Sequence, residues 1–432
     1  MKLYSTAHQS PDVSLAQAVI NGLPPDNGLY LPKEIPRLPS SFFEGIEQLN
    51  FNEIAYQVSK CLLQGTISDA DLRNIIDKAF GFGTEIHQLN ADTQVLELFH
   101  GPSAAFKDFG ARFMAALLTH FLVQSHEKIT ILVATSGDTG GAVALGFLDA
   151  PNIDVVILYP KGKVSPLQEK QLTTLGKNIR ALEVEGSFDD CQALVKQAFL
   201  DKDLSQNLKL SSANSINIAR LIPQSFYYFD AYRQLKSHNK PLVFVVPSGN
   251  FGNLCGALFA QKMGLPIAQI VAATNANAVV PTYLQTGVFA PQPSIATISN
   301  AMDVGNPSNF ARLAAFFPDV QDAKKRITGC SFDDAQTLNA IEEIHEKYDY
   351  VVCPHTAVGY LGWQHYQKNN PNAQQMGVVL ATAHPAKFLE VIPPHVAHKV
   401  VLPPSLELLS QKTKQSVPIK ASFEVLKAYL LG

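Results

Sequence analysis

From about residue 95 onward this chain repeats one pattern: a short apolar, β-branched run, then in most cases a helix-length amphipathic stretch. The runs are ITILVA at 129–134, IDVVILYP at 153–160, LVFVV at 242–246, IAQIVAAT at 267–274, YVVC at 350–353 and MGVVLATA at 376–383. Runs that are apolar on both faces need cover on both faces. They predict strands of open, mostly parallel sheets flanked by helices, an α/β fold. Sheets of that kind bind ligands beyond the carboxyl ends of their strands. The residues that follow each run are therefore read together.

Those junctions are rich in small and polar residues. ITILVA leads into TSGDTGGAVALG and LVFVV into PSGNFGNLCGAL, so Ser136, Gly137, Asp138 and Gly140 are echoed by Ser248, Gly249, Asn250 and Gly252. Glycine at a strand-to-helix turn permits positive φ and lets a ligand approach the backbone. Amides that converge at a helix start then make an anion site. A tight turn by itself explains one such loop; two in one chain point to a ligand with two anionic ends. Neither loop matches GxxxxGK[ST] or GxGxxG, which argues against nucleoside triphosphates and dinucleotides.

A third stretch, FHGPSAAFKDFGARFMAALL at 99–118, puts Lys107 between Phe106 and Phe109, just before an apolar helix pattern. Two readings stand. Lys107 is a surface lysine snorkelling from a helix start, or its amine lies among apolar neighbours at the positive end of a helix. The second setting lowers its pKa from the ordinary value of about 10.4. An amine so tuned forms a Schiff base with an aldehyde and then shuttles protons. Pyridoxal 5′-phosphate is such an aldehyde, and it needs a lysine, a phosphate cup and a partner for its ring nitrogen.

Composition narrows the partners. With 16% charged and 46% hydrophobic residues the chain can bury a large core. A net charge of −3, with no basic stripe, offers no attraction to nucleic acid or an anionic membrane. The opening MKLYSTAHQSPDVSLAQAV lacks a signal-peptide pattern, and no run approaches membrane-spanning length. The five cysteines are odd in number and never at CxxC spacing, which predicts reduced thiols in a cytoplasmic protein. No HExxH occurs among the twelve histidines, so no metal is expected. Oligomeric state is left open.

The expected organisation is an N-terminal lobe over 1–95, with helices over FNEIAYQVSKCLL and DADLRNIIDKAF. A first α/β domain over 96–225 carries Lys107 and the TSGDTG loop, and a second over 226–400 carries the SGNFGN loop. A tail over 401–432 ends the chain. These boundaries are approximate, because the domains can intersperse along the chain.

The strings LELFHGPSAAFKDFGARFMA, ATSGDTG, VILYPKGKVSPLQEKQ, SANSINIARLIPQ, VPSGNFGN, SNAMDVGNPSNF and ATAHPAKF, in this order, closely resemble the threonine synthase family of enteric bacteria and fungi. The resemblance runs from residue 1 to about 390. It implies a pyridoxal 5′-phosphate enzyme of the tryptophan-synthase-β fold (fold type II), converting O-phospho-L-homoserine and water to L-threonine and phosphate. On the family's motif Lys107 would hold the cofactor as a Schiff base, with Ser103 where threonine is usual. Ser248, Gly249, Asn250, Phe251, Gly252 and Asn253 would cup its phosphate, and Thr382 would meet the ring nitrogen. Asp303 is a rival carboxylate in a cleft-lining loop. Ser136, Gly137, Asp138 and Thr139 resemble the segment that takes the substrate's α-carboxylate.

For the substrate's own phosphate the candidates are Asn214, Ser215, Asn217 and Arg220 in NSINIAR, with Lys161, Lys163 and Arg112 as further cations. Each cation could equally be a solvated surface charge. His355 and His384, at strand ends, are given no role. A serine/threonine dehydratase, a phospholyase on the same substrate, or a non-catalytic binding protein would keep much of this pattern.

Overall fold

The computed structural model describes residues 1–123 and 127–432. Two sheets dominate. The five-stranded sheet is all parallel, in the order Val417–Lys420, Ile179–Glu185, Ile153–Pro160, Ile129–Ala134, Leu210–Ser212. The six-stranded sheet runs Ile327–Ser331, Ile267–Thr274, Leu242–Pro247, Met376–Ala381, Thr93–Glu97, Glu85–Asn90, with only the last strand antiparallel. The central strands Ile129–Ala134, Leu242–Pro247 and Met376–Ala381 are buried at every residue. That burial is why their sequences show continuous apolar runs rather than alternation.

A third, small antiparallel sheet joins Lys2–Ser5 to Val13–Ser14 and Tyr30–Pro32. The helices after it fall at Phe51–Leu63 and Asp69–Ala79. Asn50 starts the first through a reciprocal cap with Glu53, and Ser68 caps the second on the Asp71 amide. Their aromatic face packs on the helix Lys107–Val123: Phe51, Phe80 and Phe82 surround Phe109, with the Phe82 and Phe109 ring centroids 5.0 Å apart. Truncating a phenylalanine buried like Phe109 costs about 3–5 kcal/mol. The N-terminal lobe is thus the buttress of the helix that starts with Lys107.

Several expectations need correction. YVVC at 350–353 is not a strand, although Val352 and Cys353 are buried. The positions on either side of Met376–Ala381 are already filled by Leu242–Pro247 and Thr93–Glu97, so YVVC runs outside the sheet into the helix Pro354–Asn369. The stretch 401–432, expected as a tail, adds the edge strand Val417–Lys420 to the five-stranded sheet and covers it with the helix Phe423–Leu431. Strands Glu85–Asn90 and Thr93–Glu97 belong to the same sheet as Leu242–Pro247. No helix among the described residues is long and apolar enough to cross a membrane.

Candidate active site

The chain delivers Lys107 from the six-stranded sheet. Strand Thr93–Glu97 lies in register with Met376–Ala381, pairing Glu97 with Ala381. Beyond the strand ends the two segments stay stitched: Phe106 N donates to Thr382 O at 2.8 Å and His384 N to Ala104 O at 3.0 Å. Ala104 adopts a left-handed φ of +53°, costly for a residue with a Cβ, and turns the chain into the helix. Its neighbour Ser103 is pinned at both ends. The Ser103 amide donates to Asp108 at 2.8 Å, and its carbonyl accepts from Gln171 and Lys387, each at 2.9 Å.

Lys107 opens into a cleft that Thr382, Asp138, His355, Arg220 and the 249–253 loop also line. The sequence left open whether its amine is solvated. Phe109 points into the core, whereas the Phe106 ring lies 4.7 Å from Nζ. Burial, helped by the Arg220 charge and opposed by Asp138, lowers the Lys107 pKa to about 8. The partial exposure of Lys107 is to this recessed cleft, so the surface reading is set aside.

The second glycine loop follows Leu242–Pro247 and starts the helix Gly252–Lys262. Phe251 has a left-handed φ of +59°, which turns successive amides to one side as an anion-binding nest. Among the described residues the amides of Gly249, Asn250, Phe251, Gly252 and Asn253 meet no acceptor. Gly249 is required by packing, since a Cβ there would lie 2.6 Å from Met302 Cα. Ser248 is a correction. Its amide donates to Ala273 O and its hydroxyl to Asn253 Oδ1, both at 2.9 Å, so it shapes the loop instead of facing the cleft. The Asn250 amide side chain likewise links Ser215 and Ser308, each at 2.6 Å.

The first glycine loop ends Ile129–Ala134 and starts the helix Asp138–Phe147. Thr135 Oγ1 gathers the amides of Gly137 and Gly140, leaving those of Ser136, Asp138 and Thr139 without an acceptor among the described residues. Gly137 has a φ of +138°, and a Cβ there would run into Gln168 at 2.5 Å. The Asp138 carboxylate is not an open acceptor: Lys387 Nζ lies 2.6 Å from Oδ1 and Gln168 Nε2 2.9 Å. Burial would raise its pKa, but Lys387 and Gln168 together outweigh burial and hold it below the usual carboxylate range.

NSINIAR divides. Ser215 and Arg220 line the cleft. Asn217 does not: it caps the helix Ile218–Leu221 and donates to Val19 O and Ser212 O. Asn214 donates to Ala134 O, outside the cleft lining. Arg220 is buried, donates to Ala213 O through Nη1, and has no partner at Nε among the described residues. Burial lowers its pKa to about 10, with Asp108 opposing, so it stays charged at neutral pH. Arg112 turns away, donating to Ala79 O at 2.8 Å, and Lys161 and Lys163 are exposed. Asp303 is enclosed by Thr297 and Asn275 outside the cleft, and burial raises its pKa to about 6. Thr382 lines the cleft, and its hydroxyl has no partner among the described residues.

His384 caps the turn Pro385–Phe388. His355 forms a wall of the cleft; burial lowers its pKa to about 4, and Nε2 accepts the Ala301 amide at 3.2 Å, so it is neutral. The residues that sequence reasoning missed are Gln224, which lines the cleft with Oε1 unpartnered, and Lys387 and Gln168, which hold Asp138. ATAHPAKF had already been read as a unit, and its lysine was the available signal.

This donor set fits pyridoxal 5′-phosphate. A depressed amine, a nest of unpaired amides for a phosphate and a free hydroxyl at Thr382 all open into one cleft. A model of pyridoxal-phosphate-dependent enzymes matches residues 85–382, one of the threonine synthase N terminus 2–80, and one of its C-terminal part 356–430. Curated threonine synthases of Haemophilus influenzae and Escherichia coli are 43% and 41% identical, each over the whole of both chains. The crystal structure of the Escherichia coli threonine synthase superposes with a TM-score of 0.92 at 41% identity, covering 100% of this chain and 99% of that one. The pyridoxal-phosphate-bound threonine synthase of Brucella melitensis also scores 0.92, at 34% identity and the same coverage. A tomato threonine deaminase shares the fold alone, at 15% identity and a TM-score of 0.59. Full-length kinship and a cleft built for a phosphorylated aldehyde agree: the chain belongs to the threonine synthase family, pyridoxal-phosphate-dependent lyases of threonine biosynthesis.

Proposed function

We propose that the substrate is O-phospho-L-homoserine and that its phosphate is taken by Arg220 and Ser215, its α-carboxylate by the amides of Ser136, Asp138 and Thr139. The observation that supports this most is the presence in one cleft of Lys107 and a buried guanidinium that forms no ion pair among the described residues. The 249–253 amides then serve the cofactor phosphate, and Thr382 faces the ring nitrogen. A hydroxyl there does not force that nitrogen to stay protonated.

When bound, pyridoxal 5′-phosphate supplies an aldehyde for the substrate amine and a sink for electrons released next to it. Lys107 Nζ, freed when the substrate amine replaces it, removes the Cα proton and then a Cβ proton. Arg220 stabilises the phosphate leaving Cγ. Lys107 returns one proton at Cγ, the hydroxyl of water adds at Cβ, Cα regains a proton from Lys107, and L-threonine departs. One amine serves these successive transfers because its pKa lies near working pH. The neutral His355 wall adds no competing charge. Five free thiols support a reducing, cytoplasmic setting.

Incubation with O-phospho-L-homoserine tests the reading. L-Threonine and phosphate released in equal amounts are expected; 2-oxobutyrate and ammonia would overturn it. Capture of the cofactor by apoenzyme requires the neutral amine, so its rate should rise about fiftyfold from pH 6 to 8 and level off about twofold higher by pH 9 to 10. A flat profile, followed by borohydride-fixed cofactor, would count against Lys107 as the nucleophile. Gly249→Val places a branched Cβ against the Met302 backbone, at 2.6 Å from Cα before any shift. Equilibrium dialysis should show cofactor affinity lowered by about tenfold or more.

A further inference from the structure

We infer that Lys387 is a positioning residue: by cancelling the charge of Asp138 it lets the free amides of Ser136, Asp138 and Thr139 bind a substrate carboxylate. The inference rests on the proposed role of that loop. Lys387 lies in the turn Pro385–Phe388 and is buried. Its ammonium lies 2.6 Å from Asp138 Oδ1, and among the described residues no other cation forms an ion pair with that carboxylate. Asp138 lines the same cleft as Lys107, on the first turn of the helix whose amides are unpaired. An uncompensated carboxylate there would repel an arriving carboxylate strongly, because a partly dry site screens little.

The same ammonium also donates to Ser103 O at 2.9 Å, just ahead of the left-handed Ala104 that leads to Lys107. One side chain therefore joins the carboxylate loop to the lysine loop. A neutral strut of equal size would do the second task but not the first.

The test uses holoenzyme of Lys387→Met and of the double variant Lys387→Met/Asp138→Asn, titrated with L-threonine and with L-threoninamide by the change in cofactor absorbance. In the single variant L-threonine should bind on the order of a hundredfold more weakly. L-Threoninamide, which lacks the carboxylate charge, should change less than about threefold. In the double variant, where both charges of the Lys387–Asp138 pair are gone, L-threonine affinity should return to within about tenfold of the parent. Equal weakening for both ligands, or a double variant no better than the single, would mean Lys387 is only a strut. If the single variant does not fold, the double variant decides alone by the same tenfold criterion. Threonine formation by the parent is followed in parallel. An inactive parent strikes the proposed function, whereas an active parent with unselective variants strikes only the role of Lys387.

Discussion

Replacing Lys107 by methionine is expected to abolish threonine formation, by about 10⁴-fold or more, while making the apoenzyme harder to unfold. The first effect follows from its position: no other amine lines the cleft among the described residues. The second follows from its isolation. Among the described residues no carboxylate forms an ion pair with the Lys107 amine, which has the Phe106 ring beside it instead. Burial lowers its folded pKa to about 8, against about 10.4 in the unfolded chain. Below pH 8 both states carry the proton, and the folded state bears the full desolvation penalty. The penalty shrinks as pH rises from 8 and vanishes above about 10.4. Methionine removes it, so the gain in melting temperature should be a few degrees at pH 7 and near zero at pH 10.5. A variant equally stabilised at both pH values, or one that still makes threonine, would show that Lys107 is not this buried amine.

The parts legible in the sequence were those written in local signals. Continuous apolar runs marked the central strands, and the amphipathic stretches FNEIAYQVSKCLL and DADLRNIIDKAF matched the helices Phe51–Leu63 and Asp69–Ala79 to within a residue. Lys107 and the two glycine loops stood out because a turn, a helix start and an aromatic neighbour occur within a few residues. What escaped depends on partners far along the chain. The short edge strand Val417–Lys420 exists only because Ile179–Glu185 offers it an open side. Asn217 and Ser248 looked like ligands since both are small and polar, yet their hydrogen bonds run to Val19 and Ala273, and no local pattern reports that. Lys387 is the converse case. A lysine near the chain's end becomes a buried cation only when the turn at 385–388 folds against residues 138 and 103.

Arg220→Met should lower kcat/KM for O-phospho-L-homoserine by about 10³-fold without a comparable loss of stability. A buried guanidinium normally pairs with a carboxylate; Arg220 has a carbonyl at Nη1 and nothing at Nε. The fold also makes room for it. Gly110 lies against it so closely that a Cβ would be 2.7 Å from Nε and 3.0 Å from the Arg220 carbonyl. Gln224 accepts no hydrogen bond at Oε1 in the same cleft, so both groups await a ligand. A positive charge held dry, with a donor unmet and space kept clear beside it, is explained by an anion that arrives and leaves. Two anions compete for it in principle, and the variant separates them. If Arg220 serves the substrate, KM rises and inhibition by inorganic phosphate weakens while cofactor affinity holds. If it serves the cofactor instead, equilibrium dialysis shows the loss there, and the proposed placement of the substrate phosphate fails. Arg220→Lys keeps the charge without the planar fork, so it should recover part of the activity and leave geometry as the remainder.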